Sequence, residues 1–138
     1  MPGDVRDVVD DDEAVRDSLQ WLLEGQDYRV RCFESAEGFL SRYDPREVAC
    51  LVVDIRMNGM TGLELQDRLI ERQSPLPIVF ITGHGDVPMA VEAMRVGAFD
   101  FLEKPFNPDR MSELAKKATA SRRLVMDNRI LRRELSDG

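Results

Sequence analysis

Two uninterrupted apolar runs, "VACLVVD" from Val48 to Asp54 and "PIVFIT" from Pro77 to Thr82, limit the folds open to this chain. A strand with one wet face alternates apolar and polar residues. A run without alternation is buried on both faces, the habit of strands inside a parallel sheet. Parallel neighbours need crossover connections, usually helices, and helical patterns flank both runs. Val15, Leu19, Leu22 and Leu23 fall at helical spacing between Glu13 and Glu24, with Gly25 as a stop. "SAEGFLSRY" reads as a short helix with Ser35 as its N-cap. Leu65, Leu69 and Ile70 mark a helix ending near Ser74-Pro75, and Val87, Ala90, Val91 and Met94 mark another, closed by Gly97. From Pro108 the pattern is helical to the end. "DVRDVV", "YRVRCF" and "AFDFL" supply the remaining strands, the second with one wetter face. Arg6 and Asp7 stand in the first strand where an internal strand prefers apolar residues, so it is expected to be short and weakly held.

Five strands alternating with five helices predict an α/β fold: a flavodoxin-like (βα)5 three-layer sandwich, parallel sheet order 2-1-3-4-5, with an extended C-terminal helix. At 138 residues the chain is one domain by size. Ligands of such sheets sit outside the carboxyl ends of the strands, where strand order reverses. Asp10 and Asp11 follow the first strand, Asp54 closes the third, Thr82 the fourth and Lys104 the fifth. The stretch "VVDDDEAVR" therefore runs a strand straight into adjacent carboxylates, which repel unless a cation offsets them. A hard divalent cation such as Mg2+ prefers a few carboxylates and keeps several waters. Beside it, one carboxylate can act as nucleophile toward a phosphoryl group, while a Lys ammonium and a Thr hydroxyl bind its oxygens. The set suits making and holding an acyl phosphate on an aspartate.

The stretches "VVDDDEAVR", "LVVDIRM", "FITGHGD" and "DFLEKPF" resemble, in order and spacing, the four signatures of the bacterial response-regulator receiver domain. The resemblance runs from Val5 to about Ala120. It implies Asp54 as phospho-acceptor, Asp10 and Asp11 as metal-binding acids, and the backbone carbonyl of Arg56 as a third protein ligand to Mg2+. It implies that Thr82 and Lys104 contact the phosphoryl group. Phe101 falls at the aromatic switch position, whose rotamer follows Thr82, and Lys104-Pro105 at a bond that is usually cis in the family. Asp12, next to the metal pair, reads as the cap of the first helix. One departure lies in the site: Asn58 stands where relatives usually carry Pro, which is expected to loosen the loop after the acceptor.

The last segment, "SRRLVMDNRILRRELSDG", carries Leu124, Asn128, Leu131 and Leu135 at d, a, d and a of a heptad. A single Asn at an a position specifies register and a two-stranded state. Residues 4–120 are thus expected to form the receiver, and 121–138 a helical linker making a short dimeric coiled coil. The combination resembles the start of NtrC-type, sigma-54-dependent activators, most closely their C4-dicarboxylate transport regulators. The resemblance implies a cytoplasmic signalling switch rather than an enzyme, with self-catalysed phosphotransfer and slow autodephosphorylation. A sensor histidine kinase would be its phosphodonor, and it would meet DNA only through an output domain absent from these residues. A receiver carrying a simple helix-turn-helix output also suits the four signatures.

A net charge of −7 argues against general affinity for nucleic acid, and no apolar run is long enough to span a bilayer. Cys32 and Cys50 read as buried, reduced thiols. His84 lacks an evident partner for base or metal chemistry, and the pairs Arg122-Arg123 and Arg132-Arg133 read as a solvated helix face. Two rivals use similar parts. A haloacid-dehalogenase-like phosphatase places its general acid two residues after the nucleophile, where this chain has Arg56. A flavin- or nucleotide-binding module would want a glycine loop after the first strand, where this chain has carboxylates.

Overall fold

A computed structural model describes residues 3–25 and 27–137, with side chains as far as residue 125. The elements alternate as β1 (Val5–Val9), α1 (Glu13–Leu23), β2 (Arg29–Phe33), α2 (Ala36–Arg42), β3 (Val48–Asp54), α3 (Gly62–Glu71), β4 (Ile78–Thr82), α4 (Val87–Val96), β5 (Asp100–Glu103) and α5 (Pro108–Asp137). Every strand pairing is parallel, in the order β2-β1-β3-β4-β5. The sheet splits the core in two because successive strand residues point to opposite faces. On one face Leu51, Val53 and Phe80 pack with Phe39, Leu65 and Leu69 beneath α2, α3 and α4. On the other, Val8, Val52 and Val79 pack with Leu19, Leu23, Met111 and Leu114 from α1 and α5. Fully burying each such side chain is worth about 1.5–3 kcal/mol, so the layers fix the strand ends from both sides.

Local signals place the helix boundaries. Asp12 caps α1 by accepting from the Ala14 amide at 2.9 Å, and Ser35 caps α2 by accepting from Gly38 at 3.1 Å. Gly97, at φ 119°, closes α4 in the left-handed region that glycine adopts without a steric cost. α3 stops at Glu71, earlier than its periodicity implies, because Gln73 turns to φ 53° before Pro75. α5 continues through residue 120 without a break, and its 30 residues make a rod of about 45 Å.

β1 departs from expectation. It is a full strand of five residues, every one of them buried. Its two charges are buried, and only Asp7 has a counter-charge. Both Asp7 carboxylate oxygens accept from Arg31, at 3.0 and 3.1 Å. Arg6 lies 4.1 Å over the Tyr28 ring and donates to the Leu23 carbonyl at 3.1 Å. Arg122 corrects the reading of a solvated helix face, since it is buried and donates to the Pro45 carbonyl at 2.6 Å, tying α5 to the turn before β3. Arg123 is exposed as expected, and the side chains of Arg132 and Arg133 lie outside the described residues. Trp21 is 82% exposed. Cys50 is buried and Cys32 only half-buried, both as free thiols. Among the described residues no helix is long and apolar enough to cross a membrane.

Candidate functional site

Two strands, β1 and β3, deliver the acidic residues to one place. Asp10 follows β1 as a fully buried side chain, Asp54 ends β3 nearly buried, and Asp11 stands exposed at the mouth. One carboxylate oxygen from each lies within 4.8 Å of the others. From the end of β5, Lys104 reaches in. Its Nζ is 3.2 Å from Asp54 Oδ2, to which it donates, and also 3.2 Å from Asp10 Oδ2. The second approach is an ion pair without hydrogen-bond alignment, so Asp10 Oδ2 is a buried oxygen lacking a hydrogen-bond donor. The other Asp10 oxygen accepts from the Asp12 amide at 2.9 Å, and its carbonyl takes Arg16 Nη1 at 2.7 Å.

The electrostatics follow. Burial holds the Asp10 carboxyl above its ordinary range, with Lys104 opposing that shift and Asp11 adding to it. Asp54 is raised by burial and then by the charge of Asp10, again with Lys104 opposing. For Lys104 burial works against the charge, but Asp10 and Asp54 outweigh it and leave the ammonium stabilised. Three carboxylates against one ammonium leave a negative excess in a partly dry crevice. An orphaned hard oxygen, two further carboxylates close by and an open mouth fit a small divalent cation that keeps several waters. Asp10, Asp11 and Asp54 are the residues that could hold it.

Thr82 ends β4 as a buried side chain, and its hydroxyl donates to the Gly83 carbonyl at 3.0 Å rather than toward Asp54. Its carbonyl accepts from the Lys104 amide at 2.8 Å, joining the ends of β4 and β5. Phe101, on β5 beside Phe80, is half-buried against the α4 side of the core. The Lys104-Pro105 bond is cis. Leu124 is 66% exposed on α5, whereas the side chains of Asn128, Leu131 and Leu135 lie outside the described residues.

The loop after Asp54 makes two hydrogen bonds to neighbouring elements. Asn58 has the amide hydrogen that proline lacks, and it donates to Asp11 Oδ2 at 3.3 Å. Glu37 accepts from the Met60 amide at 2.9 Å and closes over Gly59, which sits at φ 76°. The sequence reading also misses Asp86. The Arg56 guanidinium forks onto it, with its shortest contact 2.8 Å, and so spans the loops after β3 and β4. No periodicity marks such a pair thirty positions apart. His84 does have a neighbour, with Nδ1 3.3 Å from Glu103 Oε2 on the open surface.

Comparison with known proteins agrees with this geometry. Residues 7–116 match the family described as the response regulator receiver domain. The transcriptional regulatory protein FixJ of Bradyrhizobium diazoefficiens is 50% identical over 111 residues, covering 80% of this chain and 54% of FixJ. The C4-dicarboxylate transport transcriptional regulatory protein DctD of Rhizobium meliloti is 43% identical over 126 residues, covering 91% of this chain and 27% of DctD. Among solved structures, the response regulator StyR superposes with a TM-score of 0.89 at 39% identity, over 96% of this chain and 67% of that one. The chain spans about half the length of FixJ and less of DctD. With its sheet order, its acidic crevice and these matches in agreement, the chain belongs to the response regulator receiver domain family.

Proposed function

We propose that this chain is a phosphorylation-dependent switch that accepts a phosphoryl group on Asp54. The observation that carries the proposal is the Lys104 ammonium at 3.2 Å from both Asp10 and Asp54, beside an exposed third carboxylate, Asp11. A carboxylate oxygen of Asp54 forms the new bond to phosphorus. The P–N bond of a kinase phosphohistidine breaks, and its electron pair stays on the imidazole. Asp10 and Asp11, with the Arg56 carbonyl, would hold Mg2+, which supplies positive charge against the phosphoryl oxygens when bound. Lys104 exchanges its hydrogen bond to Asp54 Oδ2 for one to a phosphoryl oxygen, and the ammonium is already partly desolvated and positioned for this. Thr82 gives up Gly83 and turns toward the phosphoryl group, and Phe101 follows into the space vacated. Arg56 is engaged by Asp86, so the position two residues after the acceptor offers no free acid and a phosphatase reading finds no support.

The signal leaves through α5. Leu124 is an exposed apolar residue at the start of the heptad, and pairing of two tails would cover it. In this reading phosphorylation rearranges a dimer that controls a transcriptional output domain, a sigma-54-dependent activator of the DctD kind. The heptad pattern of Leu124, Asn128, Leu131 and Leu135 is what supports the DctD-like output over a short helix-turn-helix one. Intact mass after incubation with acetyl phosphate, with and without Mg2+, tests the chemistry on this chain and on Asp54→Asn. A single Mg2+-dependent phosphoryl adduct that the substitution abolishes is expected. An adduct that survives Asp54→Asn, or none at all with Mg2+ present, would overturn it.

A further inference from the structure

At the opposite end of the sheet from the acidic crevice, a small cavity of about 160 Å3 is lined by Arg6, Tyr28, Lys116, Thr119, Ala120 and Arg123. The four α5 residues are spaced i, i+3, i+4 and i+7, so they form one stripe facing β1 and the approach to β2. Three of the six lining residues are cations, in a chain whose net charge is −7.

Arg6 is the unusual member. It is 5% exposed, and its Nε is buried with no acceptor. The Leu23 carbonyl takes Nη1 and the Tyr28 face covers the guanidinium, but neither carries a full negative charge. Buried guanidinium groups in folded proteins are ordinarily paired with a carboxylate. The other charge on β1, Asp7, is committed to Arg31 through both its oxygens. Among the described residues Arg6, Lys116 and Arg123 form no ion pair, whereas Lys117, on another face of α5, is paired with Glu113 at 2.9 Å. The Thr119 hydroxyl proton is used at the Ala115 carbonyl, so the charged donors lining the cavity are the side chains of Arg6, Lys116 and Arg123.

We infer that this cavity binds a compact oxyanion, of the phosphate or phosphomonoester class, between β1 and α5. The space, about 160 Å3, is large enough for a tetrahedral anion. The inference is independent of phosphorylation at Asp54, since the two sites lie at opposite ends of β1. An anion there joins β1 to the helix that carries the tail, and so gives the output helix a second input.

The test is a 15N-correlated NMR titration of the 138-residue chain with inorganic phosphate and, separately, glycerol phosphate. EDTA is present, and ionic strength is held constant with chloride. Saturable shifts are expected at the amides of Arg6, Tyr28, Thr119 and Ala120. Lys116→Gln and Arg123→Gln should each weaken binding by about tenfold, the usual consequence of losing a charge-assisted contact. Both residues lie on α5 away from the apolar core, and retained dispersion of the core amides reports that the variants fold. Tighter binding of glycerol phosphate identifies a phosphomonoester as the source; tighter binding of phosphate identifies the free ion. Shifts confined to Asp10, Thr82 and Lys104, shifts that never saturate, or binding indifferent to both substitutions would overturn the inference.

Discussion

Asp10→Asn should stabilise the metal-free domain, and the geometry gives the sign of the effect. The Asp10 and Asp54 carboxylates approach within 4.8 Å. At an effective dielectric constant of about 20, charges at that distance repel by about 3.5 kcal/mol. Lys104, 3.2 Å from Asp10, returns about 5 kcal/mol on the same scale. These terms largely offset each other. What remains is removal of a fully buried carboxylate from water, several kcal/mol by itself, and the further repulsion from Asp11. The upward displacement of the Asp10 carboxyl, caused first by burial, says which side prevails. The ionised group is thus a net cost at neutral pH. An Asn amide beside Lys104 places two donors together, but Lys104 is part-exposed and keeps its bond to Asp54. In EDTA the variant should melt at a higher temperature than the wild type. A carboxyl raised in the folded state contributes stability below its unfolded value and loses it as pH rises through its folded value. Wild-type stability should therefore decline from about pH 4 upward, more steeply than that of the variant. Mg2+ should narrow the gap by stabilising the wild type alone through mass action. Far-UV circular dichroism during heating measures all of this. A variant less stable than wild type in EDTA at neutral pH would show that the Lys104 attraction outweighs burial, and would refute the reasoning.

Arg31→Met should cost about 3 kcal/mol at neutral pH by leaving the fully buried Asp7 without its partner. Burial already raises the Asp7 carboxyl while Arg31 opposes that shift, so the loss should shrink as pH falls toward the carboxylate range. Urea midpoints at two pH values measure it, and adding Asp7→Asn should recover most of the loss. Gly62→Ala would place a Cβ 2.5 Å from the Asp54 carbonyl oxygen and 3.0 Å from Ile55 Cα, both backbone atoms. It should lower stability by about 2–3 kcal/mol, read from the thermal midpoint. Cys50 is fully buried, and burial pushes its thiol up to about 12. Iodoacetamide should spare it in the folded chain and reach only half-buried Cys32, with peptide masses showing both alkylated in urea.

The parts of this protein that were legible in its sequence are those whose signals are local or periodic. The alternation of strands and helices follows from continuous apolar runs and helical spacing, the strand order from the usual topology of five such units, and the crevice residues from standing at the ends of the strands. Asp12 and Ser35 were legible as caps because an N-cap bonds within three residues of itself. The misread charges, Arg122 and those of β1, are side chains whose partners are distant in sequence. Arg122 reads as solvated because its acceptor lies 77 positions away. Asp7 is the instructive case, because topology would have supplied the missing information. With β2 placed beside β1 in parallel, Arg31 is the register partner of Asp7. β2 is an edge strand and Arg31 is 31% exposed, so the guanidinium can neutralise a buried carboxylate while remaining partly hydrated. An aspartate in an interior strand is tolerable on those terms and not on others. The same register puts Val30, not a carboxylate, beside Arg6, leaving that guanidinium without a counter-charge in the sheet. The difference between two adjacent charges on one strand therefore rests on a one-residue register, which no reading of β1 by itself can provide.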